Sequence, residues 1–128
     1  MIALDTNVLV RILVDDADAP HQVAATRARI AAEDAVVVSQ SVFLETMWVL
    51  ERSYGIARRS VCEIAQALLD HPKYRIADHA LLADALAILR GAPIGFGDAL
   101  ALAHARANGA TLLSFDRKLT RLDGVATV

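Results

Sequence analysis

Several features that define other protein classes are scarce in this sequence of 128 residues. It has one cysteine, Cys62, which excludes an intrachain disulfide and a zinc site built from several cysteines. Aromatic residues make up only 5% of the chain. No uncharged apolar run reaches the roughly 18 residues that a membrane helix needs. Asp5 interrupts the first apolar run, so the N-terminus lacks the pattern of a signal peptide. These absences predict a soluble cytoplasmic protein that does not span a membrane.

The chain also lacks a large excess of positive or of negative charge. Thirteen Lys and Arg residues stand against fifteen Asp and Glu residues, which gives a formal net charge of -2. Without a global basic field, any nucleic-acid partner must meet a local basic patch. The chain is 55% apolar, and its length suits one domain with a real core, so we predict a single domain over residues 1–128.

Apolar, β-branched runs alternate with helical patterns along the chain. Residues 35–39 and 111–115 fit buried strands, and residues 74–77 and 125–128 fit shorter ones. This alternation predicts a three-layer α/β fold: a four- or five-stranded, mainly parallel sheet with helices on both faces.

The first strand and helix meet at a polar turn. Three apolar residues lead into Asp5, Thr6 and Asn7, and an apolar helical pattern follows. Ligands of parallel sheets bind outside the carboxyl ends of the strands, where Asp5 would lie. The alternative is that Asp5 only caps the helix, because Asp is a favoured N-cap residue.

The same arrangement recurs twice. A glycine-rich stretch, residues 91–97, leads to Asp98 at the start of a helix predicted over 99–107. Asp116 follows the predicted strand 111–115 and precedes a helical turn. N-capping is again the alternative for both aspartates.

Glu45 is different because it lies well inside a predicted helix. Its neighbours on the same face are Val42, Trp48 and Val49. A carboxylate is costly on an apolar face unless it is paired or binds a metal. The alternative is a position at the edge of that face, with the carboxylate reaching water.

Together these four carboxylates fit a metal site. Strand ends of a parallel sheet lie along one edge, so Asp5, Glu45, Asp98 and Asp116 would converge there. Clustered carboxylates need a counter-charge, and ligands that are all oxygen favour magnesium or manganese. Such a site activates water and stabilises charge on a phosphate.

The remaining charged clusters have simpler interpretations. Asp15, Asp16 and Asp18 fit a solvated loop after the first helix. Three basic residues close to Asp116 would contact the phosphates of a nucleic acid, with a solvated basic turn as the alternative: Arg117, Lys118 and Arg121.

These motifs, in this order, resemble those of PIN-domain proteins. The resemblance rests on the opening residues 2–9, on Glu45 in its helix, on Gly97-Asp98-Ala99, and on residues 113–116 after a late strand. The length of the chain resembles the VapC-type toxins of bacterial toxin–antitoxin pairs.

The resemblance implies a function and a set of roles. It implies a magnesium-dependent endoribonuclease that cleaves structured RNA, with manganese as a possible substitute ion, a cognate antitoxin partner and a homodimer. The metal-binding carboxylates would be Asp5, Glu45, Asp98 and Asp116, supported through hydrogen bonds by Thr6, Asn7 and Ser114. Ser114 stands where the family often has threonine, and it keeps the hydroxyl. An antitoxin segment would lie on the Glu45 helix and the helix containing residues 61–69, with an arginine or lysine near Asp5 and Asp98.

Two other functions stay open at this point. One is a phosphatase or phosphotransferase with Asp5 as nucleophile, because the opening loosely resembles haloacid-dehalogenase-like enzymes. Those proteins favour a second aspartate two positions on, where this chain has Asn7. The other is a non-catalytic module whose acidic edge binds a basic partner.

Overall fold

The computed structural model describes residues 1–14 and 17–128, which form two compact units, Met1–Ala77 and Asp78–Val128. Asp15 and Asp16 of the predicted loop lie outside the described residues, whereas Asp18 is an exposed turn residue. The described residues form seven helices and five strands. Among these helices, none has the length and apolar character to cross a membrane.

The first unit contains a three-stranded parallel sheet and four helices. Its strands are β1 (Ile2–Ala3), β2 (Val36–Val38) and β3 (Tyr74–Ile76), and its helices are α1 (Thr6–Leu13), α2 (Pro20–Ala31), α3 (Gln40–Arg52) and α4 (Arg58–Asp70). The strands pair in the order β1-β2-β3, with Ile2 opposite Val36 and Val38 opposite Ile76. Asp5 therefore lies just beyond the end of a strand of this sheet, separated from β1 by Leu4.

Helix packing in the first unit follows the apolar periodicity. Helix α1 packs against α2 and α3, α3 against α4, and α4 against β3. The fully buried side chains include Leu9, Phe43 and Leu50, and burial of each stabilises the fold by roughly 1.5–3 kcal/mol.

The apolar stripe of α4 is part of the buried core. It consists of Val61, Cys62, Ala65, Leu68 and Leu69. Because these side chains are already covered in the folded chain, a partner segment would have to contact other residues of α3 and α4. Binding of an antitoxin segment to these two helices stays a prediction.

The second unit contains three helices and a pair of strands. These are α5 (His79–Gly91), α6 (Phe96–Ala107), β4 (Leu112–Ser114), α7 (Arg117–Thr120) and β5 (Val125–Thr127). Helices α5 and α6 pack together, and β4 pairs with β5 in parallel, with Leu113 opposite Ala126. Gly124 turns the chain into β5 at φ +89°, a conformation that favours glycine.

Helix α6 begins earlier than predicted. Its first residue is Phe96, whereas the sequence predicted a start at residue 99. Gly95 is the N-cap in an extended conformation (φ -75°, ψ 160°), and Gly97 lies within the first turn. Glycine is tolerated at an N-cap, so these glycines belong to a helix start rather than to a long loop.

The α/β class and the mainly parallel pairing are confirmed. All the strand pairs in the described residues are parallel, and the strands alternate with helices as the sequence predicts. They form one three-stranded and one two-stranded sheet, each within one unit. The organisation of residues 1–128 as one domain stays a prediction.

Candidate active site

Asp5 lies at the turn between β1 and α1 and is the N-cap of α1. Its Oδ1 accepts a 2.7 Å hydrogen bond from the Thr6 backbone N–H, and its carbonyl oxygen accepts from the Leu9 N–H at 3.0 Å. The described residues donate no hydrogen bond to its second carboxylate oxygen, Oδ2. Capping therefore occurs, but it uses only one oxygen and leaves the other available to a ligand.

Thr6 joins this turn to α3. Its side chain is almost fully buried, and its hydroxyl Oγ1 donates a 3.0 Å hydrogen bond to Glu45 Oε2. The same residue donates its backbone N–H to Asp5. Two carboxylates that are 40 positions apart in sequence are thus linked through one threonine.

Glu45 lies in the middle of α3 on its exposed side. The buried residues of that helix are Phe43, Thr46, Met47 and Leu50, whereas Glu45 is exposed and Trp48 is 57% exposed. The interpretation of an apolar face around Glu45 is therefore wrong, and the edge position given as its alternative is the one observed. What singles out Glu45 is its hydrogen bond with Thr6, not desolvation.

Asn7 is exposed at the second position of α1. It contributes to the wall of a surface groove of about 550 Å³ between α1 and α2, which is lined by Asn7, Val8, Arg11, Gln22, Ala25 and Thr26. In the described part of the chain, its amide makes no hydrogen bond with Asp5 or Glu45. Its supporting role stays a prediction.

Asp98 is the third residue of α6, two residues inside the helix start. A Cβ atom built on Gly95 would lie 3.8 Å from Asp98 Oδ2, so the carboxylate is close to the N-cap. No side chain caps this helix through a hydrogen bond. The capping alternative therefore does not explain Asp98, although the helix dipole favours a negative charge in this turn.

Asp116 connects β4 to α7 and caps that short helix. Its Oδ1 accepts hydrogen bonds from the Lys118 N–H at 2.8 Å and the Leu119 N–H at 3.4 Å. The Ser114 hydroxyl accepts a 2.9 Å bond from the Asp116 N–H. Ser114 thus orders the turn that holds Asp116, and Asp116 Oδ2 receives no hydrogen bond from the described residues.

The donor atoms suit a hard divalent cation. Asp5 Oδ2 and the second oxygen of Glu45, Oε1, are carboxylate oxygens that accept no hydrogen bond within residues 1–14 and 17–128, and magnesium prefers such ligands. In that same part of the chain, no group of three or more His, Cys, Asp or Glu side chains is arranged to hold a metal ion. Each unit supplies two of the predicted ligands, and convergence of all four stays a prediction.

The basic residues near Asp116 are on the surface. Arg117, Lys118 and Arg121 are exposed, and within the described ranges none forms an ion pair. Their proposed contact with RNA phosphates stays a prediction.

One pair of surface residues on α3, Trp48 and Arg52, was not identified from the sequence. The Arg52 guanidinium carbon lies over the Trp48 ring, 5.9 Å from its centroid. Both residues share the exposed side of α3 with Glu45, at positions i+3 and i+7. The helical spacing was visible in the sequence, but it was used to assign Trp48 to an apolar face.

Comparison with known proteins decides the family. The family model described as PIN domain matches residues 2–125. The chain belongs to the PIN-domain family. This match confirms the resemblance drawn from the motifs and, with it, the three-layer α/β fold class.

Individual relatives of this PIN-domain chain are distant. The crystal structure of VapC20 of Mycobacterium tuberculosis, described as a toxin that cleaves the sarcin–ricin loop, is 21% identical over 94% of each chain, with a TM-score of 0.48. A chain of a toxin–antitoxin complex from Klebsiella pneumoniae is 19% identical, covers 99% of this chain and 97% of its own, and has a TM-score of 0.37. No curated protein matches the sequence.

Proposed function

We propose that this PIN-domain chain is a metal-dependent endoribonuclease of the VapC toxin type that cleaves structured RNA. The observation that carries the proposal is the hydrogen bond from Thr6 to Glu45, because it links Glu45 to the turn of Asp5. The motif order that defines the resemblance includes both carboxylates, and each keeps one oxygen free of hydrogen bonds in the described residues.

The chain's own residues would have distinct roles. Asp5, Glu45, Asp98 and Asp116 would hold magnesium or manganese. When bound, the cation lowers the pKa of water and stabilises negative charge on the phosphate. Thr6 fixes the position of Glu45, and Ser114 fixes the turn of Asp116. Asn7 would orient the substrate or a carboxylate from its exposed position, and Arg117, Lys118 and Arg121 would bind phosphates by charge.

The test of this function is cleavage by the purified chain. Total bacterial RNA is incubated with the protein in Mg²⁺ or in excess EDTA, and the new RNA ends are sequenced. We expect discrete cleavage sites that appear in Mg²⁺ and are absent in EDTA and in the Asp98→Asn variant. Undiminished cleavage in EDTA would contradict metal dependence. Turnover of a small phosphate ester, with RNA left intact, would favour the phosphatase alternative.

We propose further that a cognate antitoxin restrains the enzyme and that the active form is a cytoplasmic homodimer. An acidic site favours an arginine or lysine from the inhibitor, and arginine pairs with carboxylates through two parallel hydrogen bonds. Co-expression with the product of the adjacent gene, followed by co-purification and an RNA cleavage assay, tests this partner. A chain that purifies alone and keeps its toxicity in the presence of that neighbour would contradict the regulation but not the nuclease activity.

A further inference from the structure

We propose that Trp48 and Arg52 form a nucleotide-binding site beside Glu45, in which the Trp48 indole stacks on an unpaired RNA base and Arg52 binds the adjacent phosphate. This inference rests on the proposed function, and it adds a position for substrate binding that the acidic motifs do not contain.

The first reason is the geometry of α3. Glu45, Trp48 and Arg52 follow one another at intervals of three and four residues, so they lie on one side of the helix. At 1.5 Å per residue, Trp48 is about 4.5 Å and Arg52 about 10.5 Å along the axis from Glu45. A nucleotide bound to this pair would therefore be a near neighbour of one held at the candidate metal ligands.

The second reason is the chemistry of the pair. Trp48 is the only tryptophan in the chain and is 57% exposed, although tryptophan is usually well buried. Arg52 lies over the ring and takes part in no ion pair with another described residue. An aromatic surface together with an unpaired cation matches a nucleotide, whose base stacks and whose phosphate carries the negative charge.

The third reason is what surrounds Trp48. A protein-docking surface needs a contiguous apolar centre. Three of the four neighbours of Trp48 on its side of α3 are charged, Glu45, Glu51 and Arg52, and the fourth, Leu44, is half-buried. The other large apolar residues exposed in the first unit are Met1 and Tyr54. A single aromatic side chain among charges suits a base better than it suits a protein partner.

Because the chain has one tryptophan, its fluorescence reports the contact directly. We would titrate the full-length chain, in Mg²⁺ and with Asp98→Asn to prevent cleavage, with a single-stranded oligoribonucleotide of about 12 nucleotides and random sequence. We expect quenching of Trp48 fluorescence on binding. An abasic oligonucleotide of the same length should bind through its phosphates with much less quenching.

Variants then test the energetics by fluorescence anisotropy of the same RNA carrying a dye. Trp48→Ala should weaken binding on the order of 10-fold, whereas Trp48→Phe keeps an aromatic surface and should restore most of the affinity. Arg52→Gln should make the salt dependence less steep. The magnitude of the slope of log affinity against log salt concentration should fall by about 0.7, the value for one phosphate contact on a single strand. Arg59→Gln on α4, also exposed, and Tyr54→Ala are the matched controls and should leave affinity nearly unchanged.

Two results would overturn the inference while the proposed function stands. One is wild-type RNA cleavage together with unchanged RNA affinity in a folded Trp48→Ala variant. The other is conversion of a dimer to a monomer by Trp48→Ala, measured by light scattering, which would assign Trp48 to a subunit interface. If the chain without substitutions neither binds nor cleaves any RNA, the proposed function fails and this inference fails with it.

Discussion

In the first unit, the Thr6 hydroxyl joins Glu45 to the turn that carries Asp5, whereas in the second unit Asp98 and Asp116 each belong to the start of their own helix. The first arrangement connects residues from two helices. The second is local, because Asp116 bonds to the backbone two and three residues ahead, and Asp98 lies within the first turn of α6.

This difference shows that an aspartate at a helix start can be stabilised in two ways. Asp5 and Asp116 are both caps, yet each capping contact uses Oδ1 alone, so capping and ligand binding are compatible in one side chain. Asp98 is not fixed by a capping hydrogen bond, and the field of the helix N-terminus is what favours its charge there. Substitutions should therefore affect stability to different degrees in the two units.

The largest expected effect is on catalysis and is common to both units. Asp5→Asn and Asp98→Asn should each lower the rate of RNA cleavage by at least about 100-fold, because each removes a charge that the active site needs in place. Asparagine is as good an N-cap as aspartate, so the fold should survive at Asp5. Initial rates in Mg²⁺ are the measurement. Asp84→Asn, an exposed helical aspartate in the second unit, is the control, and a similar loss there would point to a general effect of charge.

The next effect concerns the stability of the second unit. Asp116→Ala removes both capping bonds of α7 and should lower the free energy of unfolding by about 1 kcal/mol, while Asp116→Asn should change it little. Asp98→Asn should lower the free energy of unfolding by at most about 0.5 kcal/mol, which is what the helix dipole contributes to stability through an exposed charge. Urea unfolding without metal measures all three. An increase in stability for Asp98→Asn would instead reveal repulsion from nearby carboxylates.

Some of the structural features behind these effects could be predicted from the sequence, and others could not. The turns at Asp5 and Asp116 were predictable because an apolar β-branched run, a capping residue and a helical pattern are all local signals. The start of α6 was missed because Gly95 and Gly97 suggested a loop, and glycine has no side chain to reveal a helix. The exposure of Trp48 was missed for a different reason.

Helix α3 carries apolar residues on more than one side, so periodicity alone did not decide which side meets the core. Phe43, Met47 and Leu50 are buried, whereas Val42 and Val49 are only partly covered. Which side of α3 faces the core depends on α1 and α4, which pack against α3 from distant parts of the sequence. The hydrogen bond from Thr6 to Glu45 is equally non-local and could not be read from spacing.

A smaller effect tests the link within the first unit. A double-mutant cycle of Thr6→Val and Glu45→Ala should give a coupling energy of about 0.5 kcal/mol, modest because Glu45 is exposed to water. Thr6→Ser keeps the hydroxyl and should keep most of the coupling. The same cycle with Asp98→Asn and Asp116→Asn should give no favourable coupling, because no hydrogen bond joins them in the described residues; repulsion between converging carboxylates would give a coupling of the opposite sign. Equal coupling in both units would contradict this difference between them.

The smallest effect is a proton linkage that belongs to the first unit. Partial burial raises the pKa of the Tyr74 hydroxyl, on β3, above its ordinary value of about 10. The neutral phenol is therefore favoured in the folded chain, so its contribution to stability is complete below the unfolded pKa and is lost as pH rises through the folded pKa. The chain has two tyrosines, so Tyr54→Phe leaves Tyr74 as the single phenol to titrate.

Phenolate absorbance of Tyr54→Phe should therefore show a midpoint above that of free tyrosine. The free energy of unfolding, measured in urea, should fall more between neutral and alkaline pH for the wild type than for Tyr74→Phe, which has no phenolic proton to lose. A Tyr74 midpoint at or below the ordinary value would mean that β3 is more open to water than its half-buried position indicates. Glu33 cannot account for a loss of stability at alkaline pH, because its hydrogen bond with the Met1 amine lowers its pKa and its contribution is lost only as pH falls into the acid range.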